Sequence, residues 1–359
     1  MKSLENYLQT KTEADYEGIW DSQPYKIGIK KQGENYVGFI VEADGVYWRK
    51  GQIKLKIGKK GNQICSTCYM NDHTAQSFNS AELLGINYLK IGHMTLERSN
   101  TKFETDEFVE QYFQLIRADK PFLKKLNNTT LILRIPSFSH DVKAAIDTVI
   151  FSNREEILNT ENLIIDLRNN GGGSDSSFQE ILPLIYSNPI RPVGVEFLST
   201  PLNNQRMLDF IGDESFSESD KKWAKEALDR LSEQIGQFVN LDTTIVDIKR
   251  YGTIYEYPKN VAIVINGNNG STTEQFLLSA KQSKKVKLFG TTKMGVSDIS
   301  NMYFVKSPCG EFELGYCLSR SMRIPEMAID EKGIQPDYYI DKTIPNFKWV
   351  EFIHKNLNE

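Results

Sequence analysis

The feature that most constrains the fold is an alternation of apolar runs and helical segments in the second part of the chain. Residues 130–135, 163–167 and 261–265 are almost continuously apolar, and segments 141–157 and 176–186 have the spacing of helices. Strands that consist of unbroken apolar residues are buried on both faces, which is typical of parallel or mixed sheets covered by helices. This part of the sequence therefore predicts an α/β core.

The preceding segment, from about residue 17 to 98, has a different pattern. Polar and apolar residues alternate with period two in short runs separated by Gly, Asn and Asp, which predicts an antiparallel β-rich module. The spacing of Phe108, Tyr112 and Ile116 then predicts an amphipathic helix that leads out of this module. A length of 359 residues favours two domains, and we place an N-terminal β-rich domain at 1–101 and an α/β core domain at 102–359.

Charge and composition exclude several classes of protein. The 43 Lys and Arg residues are balanced by 47 Asp and Glu residues, so no positive field attracts nucleic acid. No apolar run reaches the roughly 20 residues of a membrane-spanning helix, and the polar N-terminus does not resemble a signal peptide. The four Cys residues are too few for a disulfide framework, and Cys65 and Cys68 lack the further ligands of a zinc site. We therefore expect free thiols.

A glycine-rich turn follows the apolar run at 163–167. Three consecutive glycines, Gly171, Gly172 and Gly173, let the backbone direct N–H groups at one point, which suits an anion or an oxyanion. The turn lacks the spacing of a phosphate-binding loop and of a dinucleotide-binding site. A plain tight connection between a strand and a helix is the alternative.

A second polar turn follows the apolar run at 261–265. Ser271 stands at the expected start of a helix, where its Oγ would lie above the strand ends and the first N–H groups of the helix could stabilise negative charge. This placement suits the nucleophile of an acyl transfer. The alternative is a capping box, in which Ser271 caps the helix and Glu274 bonds back to the backbone of the cap.

Four segments occur in the order found in one peptidase family. They read LIIDLRNNGGG at 163–173, VAIVINGNNGSTTE at 261–274, GTTKMG at 290–295 and GIQPD at 333–337. Over roughly residues 129–342 the chain resembles the C-terminal processing (tail-specific) serine peptidases, a family that includes the tricorn core. The resemblance implies an α/β core of the ClpP/crotonase-like type and a peptide or protein substrate, with no metal or organic cofactor. It also implies Ser271 as the nucleophile and an oxyanion hole formed by Gly172, Gly173 and Thr272.

One position departs from the family. Tail-specific members carry a catalytic Lys directly after the glycine that matches Gly295, and this chain has Val296 there. Since valine has no titratable group, Ser271 needs another base. The tricorn-like branch uses a Ser–His arrangement assisted by an acid, which directs attention to the histidines.

His140 is the best placed histidine, because it follows the strand at 130–135 and so belongs to the same sheet edge as Ser271. A solvated histidine at a helix start is its alternative interpretation. Glu274 is a candidate to support the base, and Lys293 and Asp298 are further residues of the loop that approaches the site, with surface solvation as their alternative role.

We therefore expect a serine endopeptidase that hydrolyses peptides or partly unfolded proteins, with Ser271 and His140 in catalysis. A non-catalytic peptide-binding protein that has lost its base is the rival hypothesis, and hydrolysis of another ester or amide ranks below both. By likeness to the family we expect a periplasmic or exported location. The N-terminal module lacks a carboxylate-binding loop of the PDZ type, and its role and the oligomeric state are left open.

Overall fold

The computed structural model describes residues 6–8, 15–61, 63–92, 94–99, 103–214, 216–292 and 295–359. The chain separates into two compact units, Met1–Phe113 and Gln114–Glu359. The expected boundary between residues 101 and 102 lies outside the described residues, so this domain division stays a prediction.

The first unit contains a nine-stranded sheet in which every paired strand is antiparallel. This confirms the β-rich character expected from the period-two alternation. The strand order is β6-β5-β4-β3-β2-β1-β9-β8-β7. The strands are β1 (Gly18–Ser22), β2 (Tyr25–Gln32), β3 (Asn35–Glu42), β4 (Ile53–Lys60), β5 (Gln63–Tyr69), β6 (Ala75–Phe78), β7 (Glu82–Leu84), β8 (Tyr88–Ile91) and β9 (Met94–Arg98).

The core of this unit is a cluster of buried apolar side chains from its sheet and the adjoining loops. Trp20, Ile29, Ile40 and Leu89 are fully buried there. Helix α1 (Glu107–Ile116) follows, and Asp106 accepts hydrogen bonds from the first N–H groups of the helix. The helix therefore forms where the spacing of its apolar residues predicts it.

The second unit is built on a six-stranded sheet of order β10-β11-β12-β15-β16-β19. The pairs from β11 to β19 are parallel, and β10 pairs antiparallel with β11. The strands are β10 (Phe122–Lys125), β11 (Thr130–Arg134), β12 (Asn162–Asp166), β15 (Asn260–Ile265), β16 (Val286–Gly290) and β19 (Tyr338–Tyr339). Every residue of β11 and β12 is buried, as unbroken apolar runs require.

The second unit also contains helices. The apolar side chains of the sheet belong to two clusters of buried residues. The helices are α2 (Lys143–Ser152), α3 (Arg154–Ile157), α4 (Leu182–Ile185), α5 (Pro201–Gly212), α6 (Glu218–Ser232), α7 (Thr272–Ala280) and α8 (Trp349–Asn358). Short 3-10 turns occur at His140–Val142, Asp175–Phe178 and Asn346–Lys348. Within the described part of the chain, no helix is long and apolar enough to cross a membrane.

A second, four-stranded sheet has the order β14-β13-β18-β17. Its strands are β13 (Val195–Leu198), β14 (Phe238–Asn240), β17 (Ile299–Lys306) and β18 (Glu313–Ser321). The β17–β18 hairpin places Cys309 in its turn and Cys317 on its return strand, and all four Cys residues are free thiols, as expected.

Two helices expected from the sequence are interrupted. The helix expected at 141–157 divides at Asn153, whose side-chain amide donates to the Val149 carbonyl at 2.7 Å and competes with the backbone. The helix expected at 176–186 is a 3-10 turn followed by the short α4. Pro183 has no N–H to bond to a preceding turn, so it stands in the first turn of α4 and not inside a longer helix.

Candidate active site

Four loops of the second unit begin at the same edge of the six-stranded sheet. The parallel register pairs Arg134 with Asp166, Asp166 with Val264, and Val264 with Phe289. The carboxyl ends of β11, β12, β15 and β16 therefore lie side by side at one edge of the sheet. In open α/β sheets, ligands bind at this edge.

A buried ion-pair cluster lies beneath these loops. Asp166 is fully buried, and its carboxylate accepts from Arg168 Nη2 at 2.6 Å and from Arg134 Nη1 at 3.4 Å. Arg134 also donates to the Arg168 carbonyl at 2.8 Å. Burial by itself raises the pKa of Asp166, but the two guanidinium groups outweigh it and hold the pKa below its usual value. The cluster fixes the ends of β11 and β12 relative to each other.

Buried asparagines join the loop after β12 to the loop after β15. Asn269 donates from Nδ2 to the carbonyl oxygens of Leu167 and Asn170, the latter at 3.0 Å. Asn170 in turn accepts from the hydroxyl of Thr273 on α7 at 2.9 Å. Both asparagines are almost completely buried. The glycine turn and the start of α7 are thus held against each other by side-chain bonds.

The three glycines of the turn have different roles. The N–H of Gly172 already donates to Asn170 Oδ1 at 3.0 Å, so it is not available to an oxyanion, contrary to what the family resemblance implies. The N–H of Gly173 has no acceptor among the described residues. Gly173 bridges in parallel to Phe138, the continuation of the β11 segment. Of the two expected glycine donors, Gly173 is the one that this arrangement leaves open.

Residue 172 must be a glycine because the turn approaches the start of α7 closely at this position. It has a φ of 105°, and a methyl group on it would lie 2.8 Å from Ser271 Cβ and 2.7 Å from the Gly270 carbonyl oxygen. No side chain fits at these distances. The absence of a side chain at Gly172 therefore lets the glycine turn contact the start of α7.

Ser271 directly precedes α7 and has an unusual backbone. Its φ of 52° and ψ of −128° fall in a region that residues other than glycine rarely adopt. Ser271 is exposed, and its Oγ has no hydrogen bond within the described residues. The side chain does not cap the helix, so the capping-box interpretation does not describe this structure. The hydroxyl is presented to solvent above the sheet edge.

The first turn of α7 leaves the N–H group of Thr272 without an acceptor among the described residues. The carbonyl of Ser271 accepts from the N–H groups of Glu274 and Gln275 at 2.7 and 3.3 Å. The N–H of Thr272, the first helical residue, has no acceptor in the part of the chain that the structure describes. The N-terminus of a helix carries partial positive charge and favours an anion. Thr272, which follows Ser271, and Gly173, in the turn that contacts Ser271, thus each have an unengaged N–H group within the described part of the chain.

Within the described residues, Glu274 is bonded to the loop after β16. It is fully buried, and its Oε2 accepts from the N–H of Val296 at 2.8 Å. This bond joins the loop after β16 to α7. The Val296 side chain lies beside the residue that precedes Ser271, because a methyl group on Gly270 would be 3.0 Å from Val296 Cγ2.

Asp298 is another candidate from the loop after β16. Asp298 is buried and accepts from Arg323 Nη2 at 3.1 Å and from the N–H groups of Ile329 and Asp330 at 2.6 and 2.8 Å. Its role is therefore structural in this arrangement. Lys293 lies outside the described residues.

His140 lies at the expected sheet edge, and its ring has no hydrogen bond to Ser271. It begins the 3-10 turn at His140–Val142 and is exposed, and no hydrogen bond joins its ring to Ser271. Two other histidines have structural partners: His73 lies near the Tyr47 carbonyl, and His354 near Thr130. His93 lies outside the described residues.

Two residues that sequence reasoning did not select are close to Ser271 or to Thr272. Ser297 donates from Oγ to the Ser271 carbonyl at 3.0 Å. Asp175 lies two residues after Gly173, whose carbonyl oxygen accepts from the Thr272 hydroxyl. The Ser297 contact joins residues that are far apart in sequence. Asp175 had a local signal, an acidic residue two positions after a glycine turn.

The profile of peptidase family S41 matches residues 129–340 of the chain. The chain therefore belongs to peptidase family S41. It is a serine-type peptidase, a hydrolase, and its substrates are peptides or proteins. The matched segment contains Ser271, His140, Glu274 and the glycine turn. A comparison with curated proteins found no match.

The fold of the chain is similar to that of mature CPAF. Mature CPAF is 13% identical, with a TM-score of 0.50, over 92% of this chain and 80% of that one. The photosystem II D1 C-terminal processing protease is 11% identical, with a TM-score of 0.42, over 100% of this chain and 81% of that one.

Proposed function

We propose that the protein is a serine endopeptidase that cleaves peptides or partly unfolded proteins with Ser271 as the nucleophile and without a metal or organic cofactor. The observation that carries the proposal is the exposed Ser271 hydroxyl on a strained residue that contacts the glycine turn, with unengaged N–H groups at Gly173 and Thr272. Acyl transfer requires a nucleophilic hydroxyl, N–H donors for the oxyanion and a base.

In the proposed reaction, Ser271 Oγ attacks the carbonyl carbon of the scissile peptide bond and loses its proton to a base. The carbonyl oxygen becomes an oxyanion, which accepts hydrogen bonds from Gly173 and Thr272. The base returns the proton to the leaving amine, and water hydrolyses the resulting acyl-enzyme by the same route. Gly172 provides the space for this site.

We assign the base to His140. The support is its position: it is two residues beyond Phe138, which bridges to Gly173, and its exposed ring has no hydrogen bond within the described residues. Hydrogen bonds of catalytic groups are often long or absent before substrate binds. Glu274 acts through the backbone of Val296, as a positioning residue.

The absence of a lysine at Val296 supports a place in the tricorn-like branch of the family, and the parallel order of β11, β12, β15 and β16 supports a ClpP/crotonase-like core. We also propose a periplasmic or exported location, by likeness to the family. Fractionation of the native cells tests this, and recovery of the protein in the cytosol alone would contradict it.

Labelling with a fluorophosphonate probe tests the mechanism. We expect Ser271 to be labelled, Ser271→Ala to abolish labelling, and His140→Ala to reduce its rate at least about a hundredfold, the usual contribution of a general base. Ser152→Ala, an exposed serine of α2, and His73→Ala are the matched controls and should label normally.

The outcomes separate the hypotheses. An unlabelled Ser271 in folded protein would contradict the proposed mechanism and favour a protein that binds peptides without cleaving them. Labelling that is unaffected by His140→Ala would support Ser271 as the nucleophile and show that another residue is the base.

A further inference from the structure

Asp175 is a carboxylate beside the proposed oxyanion hole. It lies two residues after Gly173 and begins the 3-10 turn at Asp175–Phe178, which Ser174 caps through its side chain. The turn is held further by Gln179, whose amide donates to the Asp175 carbonyl at 2.8 Å. The backbone of Asp175 is therefore fixed, and its position next to the glycine turn follows from the fold.

The Asp175 carboxylate is not fully satisfied by the protein. The Thr272 hydroxyl donates to the Gly173 carbonyl oxygen at 2.9 Å, and because a hydroxyl carries one proton it does not also satisfy the Asp175 carboxylate. No salt bridge between described residues includes Asp175. Loss of water around the carboxyl raises the pKa of Asp175, and Thr272 and the charge of Lys249 oppose the rise. The residue as a whole remains exposed.

A negative charge at this place affects the reaction. Asp175 is two residues after Gly173, whose carbonyl oxygen accepts from the Thr272 hydroxyl, so its charge lies near the two proposed oxyanion donors and repels the negative charge that develops on the carbonyl oxygen of the substrate. A cationic side chain of the substrate beside Asp175 removes this repulsion and gains a charge-assisted hydrogen bond. Both effects act in the transition state, and they favour cationic substrates in kcat/KM.

We propose that Asp175 makes this peptidase select substrates with a lysine or arginine side chain next to the scissile bond. The inference rests on the proposed function of Ser271. It names a substrate class and a specificity-determining residue.

The first experiment digests a peptide library with the full-length protein and identifies the cleavage sites by mass spectrometry. The library is made with an endopeptidase that cuts after glutamate, so that internal Lys and Arg residues are retained. We expect Lys and Arg to be enriched at a position adjacent to the cleaved bond, and Asp175→Asn to lose the enrichment.

The second experiment measures kcat/KM for three peptides that carry Lys, norleucine or Glu at that position. The wild type should prefer Lys over norleucine at least about tenfold. In Asp175→Asn the ratio should fall to about one, and in Asp175→Lys the Glu peptide should become the preferred one. The last result is a gain of function that a misfolded site does not produce. Asp119→Asn removes the same charge from an exposed position of the second unit and should keep the wild-type ratio.

Each outcome has one meaning. Cleavage without enrichment of basic residues, or enrichment that persists in Asp175→Asn, overturns this inference and leaves the proposed function standing. Absence of both cleavage and fluorophosphonate labelling overturns the proposed function, and the inference with it.

Discussion

The backbone of Ser271 stores strain that its surroundings must hold. A residue in such a region costs about 1–3 kcal/mol. Three donors fix its carbonyl: the N–H groups of Glu274 and Gln275 and the hydroxyl of Ser297. The strain is thus maintained by the first turn of α7 and the loop after β16. It turns the hydroxyl outward, where a substrate carbonyl can reach it.

Gly172 offers a direct test of this arrangement. In Gly172→Ala the new methyl group would meet Ser271 Cβ at 2.8 Å, and the φ of 105° disfavours any side chain. We expect destabilisation of about 1–2 kcal/mol and a loss of fluorophosphonate labelling of at least a hundredfold. Urea unfolding and labelling kinetics measure the two effects.

Gly171→Ala is the matched control. No atom lies within 4 Å of a methyl group on Gly171, and Gly171 does not have a positive φ. The Gly171→Ala variant should be labelled by the fluorophosphonate probe at the wild-type rate. Normal labelling of Gly172→Ala, or equal losses in both variants, would contradict the role of Gly172 as the point of close approach.

The donor assignment shows a limit of sequence reasoning at the residue scale. The positions of Ser271 and Thr272 at the start of a helix follow from the polar turn after a buried strand. The hydrogen bond from the Gly172 N–H to Asn170 Oδ1 could not be predicted from the sequence. In a triple-glycine turn each φ is free, so any of the three N–H groups can be directed at a ligand. Likewise, the pattern Ser-x-x-Glu describes a capping box, but here Glu274 is bonded to a loop that follows another strand.

At the scale of elements, parallel strands bring the site together and a buried ion-pair cluster keeps their ends level. Asp166 closes β12, Arg134 closes β11, and Arg168 begins the loop that leads to the glycine turn. Asp166→Asn would leave two buried guanidinium groups without their carboxylate. We expect a loss of about 3–5 kcal/mol in the free energy of unfolding, measured with urea at pH 7. Glu42→Gln, which breaks an exposed ion pair with Lys26, should change the free energy of unfolding little.

The sign of the pH dependence follows from the lowered pKa of Asp166. A carboxyl group whose folded pKa is depressed stabilises the protein fully above its unfolded pKa of about 3.9, and this stabilisation is lost as the pH falls through the folded pKa. The difference between wild type and Asp166→Asn should therefore be constant from about pH 7 to 5 and shrink below about pH 4. A difference that persists undiminished in strong acid would contradict the ion-pair account.

The boundaries of helices and strands were predictable where burial alone determines the sequence pattern. The strands at 130–135, 163–167 and 261–265 appear almost as expected, because burial on both faces requires unbroken apolar residues. The helices at 141–157 and 176–186 do not, because Asn153 and Pro183 interrupt them by local chemistry that apolar spacing does not weigh. The contact of Ser297 with Ser271 depends on tertiary packing alone, and no local pattern predicts it.

At the scale of the whole molecule, the two units have separate cores and different relations to the family. The core cluster of the first unit is made of residues between 20 and 96, and those of the second of residues between 115 and 353. The family profile begins at residue 129, inside the second unit. Every residue that we assign to catalysis belongs to the second unit as well.

This division predicts that the second unit carries the chemistry by itself. The cut should precede α1, because Leu115 belongs to the core of the second unit and Asp106 caps the helix. We expect a fragment of residues 105–359 to unfold cooperatively in urea and to label at Ser271 within about tenfold of the full-length rate, with Ser271→Ala in the same fragment as the control. A fragment that unfolds cooperatively but does not label would show that the β-rich unit takes part in forming the site. A fragment that does not fold would show that the second unit depends on the first for its stability.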